Sequence, residues 1–544
     1  MEKVCKVTGK RFVISPAEEK YCTDRGLPLA TIEPLTLLRK LQAFRNRVHL
    51  YNAVCASSGK AILSCFPPEK GYKVFDSSIW NGDSWNGQEY GLDYDPTRPF
   101  FEQFDALLHS VPLPNLSIVD TGESNSKYVN GAQNLRNCYL CFTTLVCEDS
   151  MFCWNVFSSK NVLDVVYCMA CELCYDSIDL ESCYHVMYSE SSNHCSDSAF
   201  LYNCQACKHC FGCVNLNNKE YCWYYEQLTK EEYENRLDKL TMTSYQVIAT
   251  EKKKFAEFRK QFPIKYYKGK SNENVTGNYL LNNKNCNNCF LTNNSQDLEN
   301  CVIAIRAKDC FGVFSSVDSE LVYHSVTGKN YNNQFCLECF HGQNLMFCMY
   351  CINNCSDNFG CIGLKKSQYC ILNKQYSKDE YERFVAVIKK NMIDRGEWQD
   401  FFPQSLSPFY YNQSDASTFF PLEKAEALAV GFTWADETVV AESQSEIAPD
   451  DSAMVSDAVL QKTFRCQLTG KPYRITKQEL DFYRQMQVPL PRVAPIERIL
   501  NRAKVLAIKP LATIHCHQCQ QTLQTIFDPQ VQPILCDQCY QQQF

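Results

Sequence analysis

The sequence predicts a mainly β chain: a two-copy β-solenoid body with capping helices, flanked at each end by a small α+β module. Three observations carry this reading. Cysteines in the middle of the chain fall on multiples of three, one internal segment returns 148 residues later, and the two termini match at a spacing of 461.

Length and composition set the frame. A chain of 544 residues suggests about three or four domains. With 45% hydrophobic and 21% charged residues it has material for packed cores, which excludes wholesale disorder. The polar opening Met1-Glu-Lys-Val-Cys-Lys gives no signal peptide, and no apolar run of about 18 residues exists to span a bilayer. A soluble, cytoplasmic protein with no membrane partner is expected. Its 34 cysteines are therefore expected to be reduced, either packed as small apolar side chains or bound to metal.

Residues 1–85 form the first module. Cys5-Lys-Val-Thr8-Gly9-Lys10 returns as Cys466-Gln-Leu-Thr469-Gly470-Lys471, and Ile14, Pro28, Pro34 and Cys55 return as Ile475, Pro489, Pro495 and Cys516. The two ends are copies of one unit. An aromatic-rich connector with a helix, 86–127, follows; its Phe100, Phe101 and Phe104 are candidate anchors for a protein partner.

The first solenoid copy is assigned to 128–227. Fourteen cysteines from Cys138 to Cys222 share one frame of three, a coincidence on the order of one in a million by chance. Val156, Val162, Leu180 and Leu201 occupy the same frame. Three residues match neither a 3.6-residue helix nor a two-residue strand. They match a chain that turns a corner every triplet and points one small side chain inward, and blocks of eighteen make a plausible coil. The rule generates C-x-x-C pairs wherever neighbouring corners choose Cys, so these read as buried thiols rather than metal ligands.

A helical cap and connector is assigned to 228–274, where Thr229-Lys-Glu-Glu232 forms a capping box before Tyr233, Leu237 and Leu240. The second solenoid copy, 275–375, repeats Asn137-Cys138-x-x-Cys141-Phe142 as Asn285-Cys286-x-x-Cys289-Phe290. It changes frame between Cys310 and Cys336 and back after Cys351, which marks insertions or bulges. A second capped helix occupies 376–411, with Ser377-Lys-Asp-Glu380 at its start. Residues 412–461, rich in Ala, Ser, Asp and Glu from Glu437 onward, read as an acidic linker that leaves the last module mobile.

The last module, 462–544, holds the strongest motif. Cys516-x2-Cys519-x16-Cys536-x2-Cys539 has the spacing of a zinc ribbon, in which two tight knuckles offer four thiolates to one structural zinc. His515 and His517 are flank residues, since four thiolates suffice. In the first module Ser58, Phe75 and Ser78 face Cys519, Cys536 and Cys539, so no zinc is expected there, and Phe75, Ile79 and Trp80 would hold its core.

These residues resemble a family. Cys466-x-x-Thr-Gly-Lys-Pro-Tyr-Arg, Tyr90-Gly-Leu-Asp-Tyr-Asp-Pro-Thr-Arg-Pro-Phe-Phe-Glu-Gln-Phe104 and Phe211-Gly-Cys-Val-Asn-Leu216 are similar to the uncharacterised cysteine-rich, zinc-ribbon-containing proteins of candidate-phylum, ultra-small bacteria. The resemblance spans nearly the whole chain and implies the architecture, but no activity. Thr8 and Thr469 stand where that family usually has a second knuckle cysteine. Glu33-Pro34-Leu35-Thr36 and Ala494-Pro495-Ile496-Glu497 stand where it usually has Cys-Pro-x-Cys. Both departures weigh against a second zinc in either module.

Charge points to the function classes. Residues 1–60 and 460–544 each carry 11 Lys/Arg against 5 Asp/Glu, while the whole chain is at −7, so two basic ends flank an acidic body. Arg492, Arg498, Arg502 and Lys504, with Lys509, cluster before the four cysteines as candidates for contacting nucleic acid or a protein. A non-enzymatic binding scaffold is the leading reading. The alternatives are a solenoid-based carbohydrate-active enzyme using Asp93, Asp95 or Glu102, and a metal or thiol homeostasis protein.

Overall fold

The computed structural model describes residues 1–24, 28–119, 124–295, 302–304, 314–316, 323–326, 330–398, 401–436 and 445–544. The chain is mainly β with several helices. Two 12-stranded sheets dominate, and six two-stranded sheets accompany them.

Neighbouring strands of the first large sheet run parallel, except for the antiparallel pair Cys222–Trp223 and Glu226–Gln227 at its end. Met151 pairs with Leu163, and Leu163 with Tyr175, so each step is twelve residues, not the eighteen expected. Four triplets make one step. The corner is a backbone event: Asn137, Leu140, Thr143 and Val146 have φ of 53°, 52°, 49° and 55°, the left-handed region that non-glycine residues seldom enter. Each such residue carries roughly 1–3 kcal/mol of strain. The neighbouring turns offset it, because their ladders leave little backbone unpaired. The Thr143 N–H donates to the Asn130 carbonyl one way, while Met151 N–H donates to Val162 the other.

The residue after each corner points inward. Cys138, Cys141, Cys147, Cys153, Val156 and Val162 form one continuous buried cluster. Their thiols are not orphaned; Cys138 Sγ lies 3.5 Å from the carbonyl oxygens of Arg136 and Cys147.

The predicted caps are present. Thr229 and Glu232 satisfy each other's backbone N–H at the start of helix Lys230–Asp238, and Ser377 and Glu380 do so for Lys378–Asp394. Tyr233 lies edge-on to Tyr221 and Trp223 and covers the end of the first stack.

In the second large sheet the step is eleven between Val326 and Leu337 and thirteen between Met349 and Ile362. The extra residue sits at Asn353-Asn354, two consecutive left-handed residues. The frame change after Cys351 is thus a one-residue bulge. Cys310 itself lies outside the described residues.

Two expectations are overturned. The segment 412–461 is not a free linker in its described part. Its Ala416, Ala427 and Phe432 bury themselves with Tyr411 and with Ala43 of the first module, and Asp415 pairs with Arg47 at 2.6 Å. Residues 437–444 lie outside the described ones. Its aromatic side chains outweigh its acidity, and Asp450 is held by Ser244 and Arg492. Nor is the phenylalanine cluster a docking surface. Helix Phe100–Ser110 buries Phe100, Phe101 and Phe104 against Phe347, Phe359 and Phe402.

The last module is docked rather than mobile. Helix Pro495–Ala503 packs on strands Met151–Phe157 and Leu163–Met169, and strand Ile534–Leu535 pairs in parallel with Ile264–Lys265. The first module does the same with Val74–Phe75 and Leu113–Pro114. Among the described residues no helix is long and apolar enough to cross a membrane.

Candidate metal centre

The four cysteines are brought together by a hairpin and a helix start. Strands Ala512–His515 and Thr522–Thr525 pair antiparallel, and the turn between them is closed by Gln520, whose N–H donates to the Cys516 carbonyl from a left-handed backbone. That knuckle carries Cys516 and Cys519. Cys536 is the cap of helix Asp537–Gln543, accepting the Cys539 N–H on its sulfur at 3.4 Å. The Cys536 N–H in turn donates to Cys516 Sγ at 3.4 Å.

All four sulfurs lie within 4.8 Å of one another, and Cys519 Sγ is 3.7 Å from Cys536 Sγ. A tetrahedral ion with metal–sulfur bonds of about 2.3 Å sets its sulfurs about 3.8 Å apart. The donor set fits such an ion. Burial opposes ionisation of Cys516, but N–H groups from Cys519, Cys536 and Gln518 outweigh it and lower its pKa to about 6. The group is ready to hold a metal ion. His515 is exposed and faces the Gln520 carbonyl, and neither it nor His517 belongs to the cluster.

The first module has the same scaffold without the ligands. Its hairpin, Tyr51–Val54 with Ala61–Ser64, turns at Cys55, and the N–H of Asp76 donates to Cys55 Sγ at 3.4 Å. Asp76 caps helix Ser77–Asn81 as Cys536 caps its own helix. The counterpart of Cys536 is therefore Asp76, not Phe75, and that of Cys539 is Ile79, not Ser78. The first module has one residue more than the last between hairpin and helix. Cys55 is the remaining thiol. Trp80 is buried as expected, while Phe75 and Ile79 are half-buried.

Among the described residues the stack cysteines are all buried and fall into no further metal-holding group. Burial pushes the Cys147 thiol up to about 12.

The basic cluster before the cysteines is not a free surface. Arg498 is 6% exposed; its guanidinium meets Asp164 at 3.0 Å and Glu479 at 3.1 Å, and lies over the Phe152 ring. Arg502 meets Asp164 at 3.2 Å and Asp176 at 2.5 Å. Arg492 pairs with Asp450 and stacks on Tyr245. Lys504 remains exposed, with its ammonium donating to Asn501. The arginines fasten the module to the body. The sequence shows them as one basic cluster but could not show the carboxylates facing them.

The candidate acids do not gather into a site. Asp93 pairs with Lys374, Asp95 accepts from Thr97 in a turn, and Glu102 pairs with Arg98, each at the surface. No protein-family model matches the chain, and a search of curated proteins found no match.

Proposed function

We propose that the chain is a non-enzymatic, zinc-containing binding scaffold in which two β-solenoids are braced by zinc-ribbon-type modules. The tetrathiolate geometry of Cys516, Cys519, Cys536 and Cys539 carries the reading. Zinc suits four thiolates, and four protein ligands leave no open position for a substrate, which makes the ion structural. The solenoid reading is supported by the twelve-residue parallel steps and by the left-handed corner in successive triplets. The same architecture is what the resemblance to the cysteine-rich proteins of ultra-small bacteria implies.

The partner we propose is a protein. The arginines best placed to bind phosphates are neutralised by Asp164, Asp176, Glu479 and Asp450, which removes most of the basis for counterion-release binding. Elemental analysis should find one zinc per chain, and electrophoretic mobility shifts with single- and double-stranded DNA and RNA at low salt should show no complex. A shift that disappears steeply with added salt would restore the nucleic-acid reading. Metal content well above one ion would favour metal homeostasis.

A further inference from the structure

Two cavities occupy corresponding places in the two halves of the molecule, and they differ in what fills them. One, of about 200 Å³, lies where the last module meets the start of the second stack. The other, of about 710 Å³, lies where the first module meets the start of the first stack. Backbone hydrogen bonds fix the correspondence. Lys268 N–H donates to Asn278 Oδ1 at 2.8 Å, and Ser117 N–H donates to Asn130 Oδ1 at 2.9 Å. Leu280 N–H donates to the Lys268 carbonyl, and Ala132 N–H to that of Ser117. Ser117 therefore stands in for Lys268, and Gly131, next after Asn130, for Tyr279.

In the small cavity these two side chains are the filling. The Lys268 ammonium pairs with Glu190 at 2.5 Å, donates to the Tyr279 hydroxyl at 3.0 Å, and sits 5.0 Å from that ring's centre. In the large cavity the ammonium and the phenol are both gone. Gly131 is not demanded by its backbone, since Tyr279 adopts φ of 57° where Gly131 has 63°. Nor is it demanded by crowding, since the atoms nearest to a Cβ there would be those of Thr143, at 3.4 Å or more. What distinguishes the position is the missing ring.

The large cavity also has a carboxylate oxygen in want of a donor. Glu338 lines it and is 6% exposed. Its Oε1 pairs with Arg45 at 3.2 Å, while its buried Oε2 accepts no hydrogen bond among the described residues. Such an oxygen costs about 1–3 kcal/mol unless a donor reaches it. Trp80, Tyr350, Phe340 and Phe409 supply aromatic wall, the surroundings that favour an organic cation.

We propose that this cavity binds a small arylalkylamine, whose ring and ammonium take the places that Tyr279 and Lys268 fill in the other half. The ammonium donates to Glu338, and the ring lies over Gly131 against the aromatic wall. The site is separate from the metal centre, so its test does not depend on the zinc.

The experiment is isothermal titration of the full-length protein with tyramine, and with p-cresol as the ring without the amine. Saturable one-to-one binding of tyramine is expected, with p-cresol at least about tenfold weaker. Glu338→Gln should weaken tyramine by at least about tenfold, and Gly131→Tyr should abolish it by filling the space. Should Glu338→Gln fail to fold, Gly131→Tyr and Ser117→Lys decide, since both introduce residues that the fold already accommodates in the corresponding positions. No saturable binding of tyramine by the wild-type protein overturns the proposal, as does binding unchanged by Gly131→Tyr.

Discussion

Asp164 and Arg498 lie 334 positions apart in sequence and meet at 3.0 Å in the interior, the aspartate with no exposed side-chain surface. Arg502, Glu479 and Asp176 complete the group, so that two guanidiniums and three carboxylates are largely withdrawn from water together. A buried network of this kind contributes little net stability over an apolar substitute, yet breaking it strands a charge.

Replacing Arg498 by Ala is accordingly expected to destabilise the protein by about 3–5 kcal/mol, because Glu479 would lose its ion-pair partner, and Asp164 one of its two, in a place closed to water. Urea titration of Arg498→Ala, Asp164→Asn and the double variant measures it. The double variant should lose less than the two singles combined. Strict additivity would mean that the two residues do not act on each other.

Loss of the metal should be felt beyond the module that holds it. Strand Ile534–Leu535, directly before Cys536, pairs with Ile264–Lys265 at the entry to the second stack. Chelation, or Cys516→Ser with Cys536→Ser, should remove the metal and raise hydrogen exchange at Ile264 and Lys265 while the stack interiors stay protected. Unchanged exchange at 264–265 would show that the pairing does not depend on the ion.

Thiol reactivity should divide sharply. Cys519 is exposed and the other described cysteines are buried. Native protein treated with a thiol reagent should label slowly, and chelator should release up to four fast thiols from the last module. Fast labelling of most cysteines before chelation would contradict the buried ladders.

Acid should loosen the contact between the two stacks. Burial alone would raise the Glu190 carboxyl, but Lys268 and Arg259 outweigh it and hold it at about 2, against 4.5 for a free glutamate. Its folded value is depressed, so its contribution is complete above pH 4.5 and is lost as the pH falls towards 2. Between these values the wild type should lose more stability than Glu190→Gln, read from urea midpoints. Parallel pH profiles would mean that Glu190 is not the responsible group.

Much of the architecture could be read from the residues because its signals are local. A triplet of Cys or Val is a corner, and Thr229 with Glu232 is a helix start, whatever surrounds them. The four cysteines are legible for the same reason, two knuckles each set within four residues. The twelve-residue step was not legible, since a period of three fixes each corner without saying how many corners return the chain to its starting edge. The place of Asp76 was missed because a single added residue between hairpin and helix leaves no mark in composition. Arg498 and Arg502 looked like a basic helix face because their carboxylates belong to strands hundreds of residues away. Gly131 did carry a signal, since it faces Tyr279 at the spacing of 148, whereas Ser117 lies 151 residues before Lys268 and did not.

The long-range anchoring of the last module has a consequence for how the protein is born. A ribosome finishes Asp164 and Ile264 well before Arg498 and Ile534, and at about 5–20 residues per second the wait is on the order of twenty seconds to a minute. Throughout that interval the nascent first stack carries Asp164 and Asp176 without their arginines, and Ile264 without its strand partner. Final closure of both is reserved for the end of translation, so a chain stopped short of residue 498 leaves the ribosome with Asp164 lacking both of its arginines.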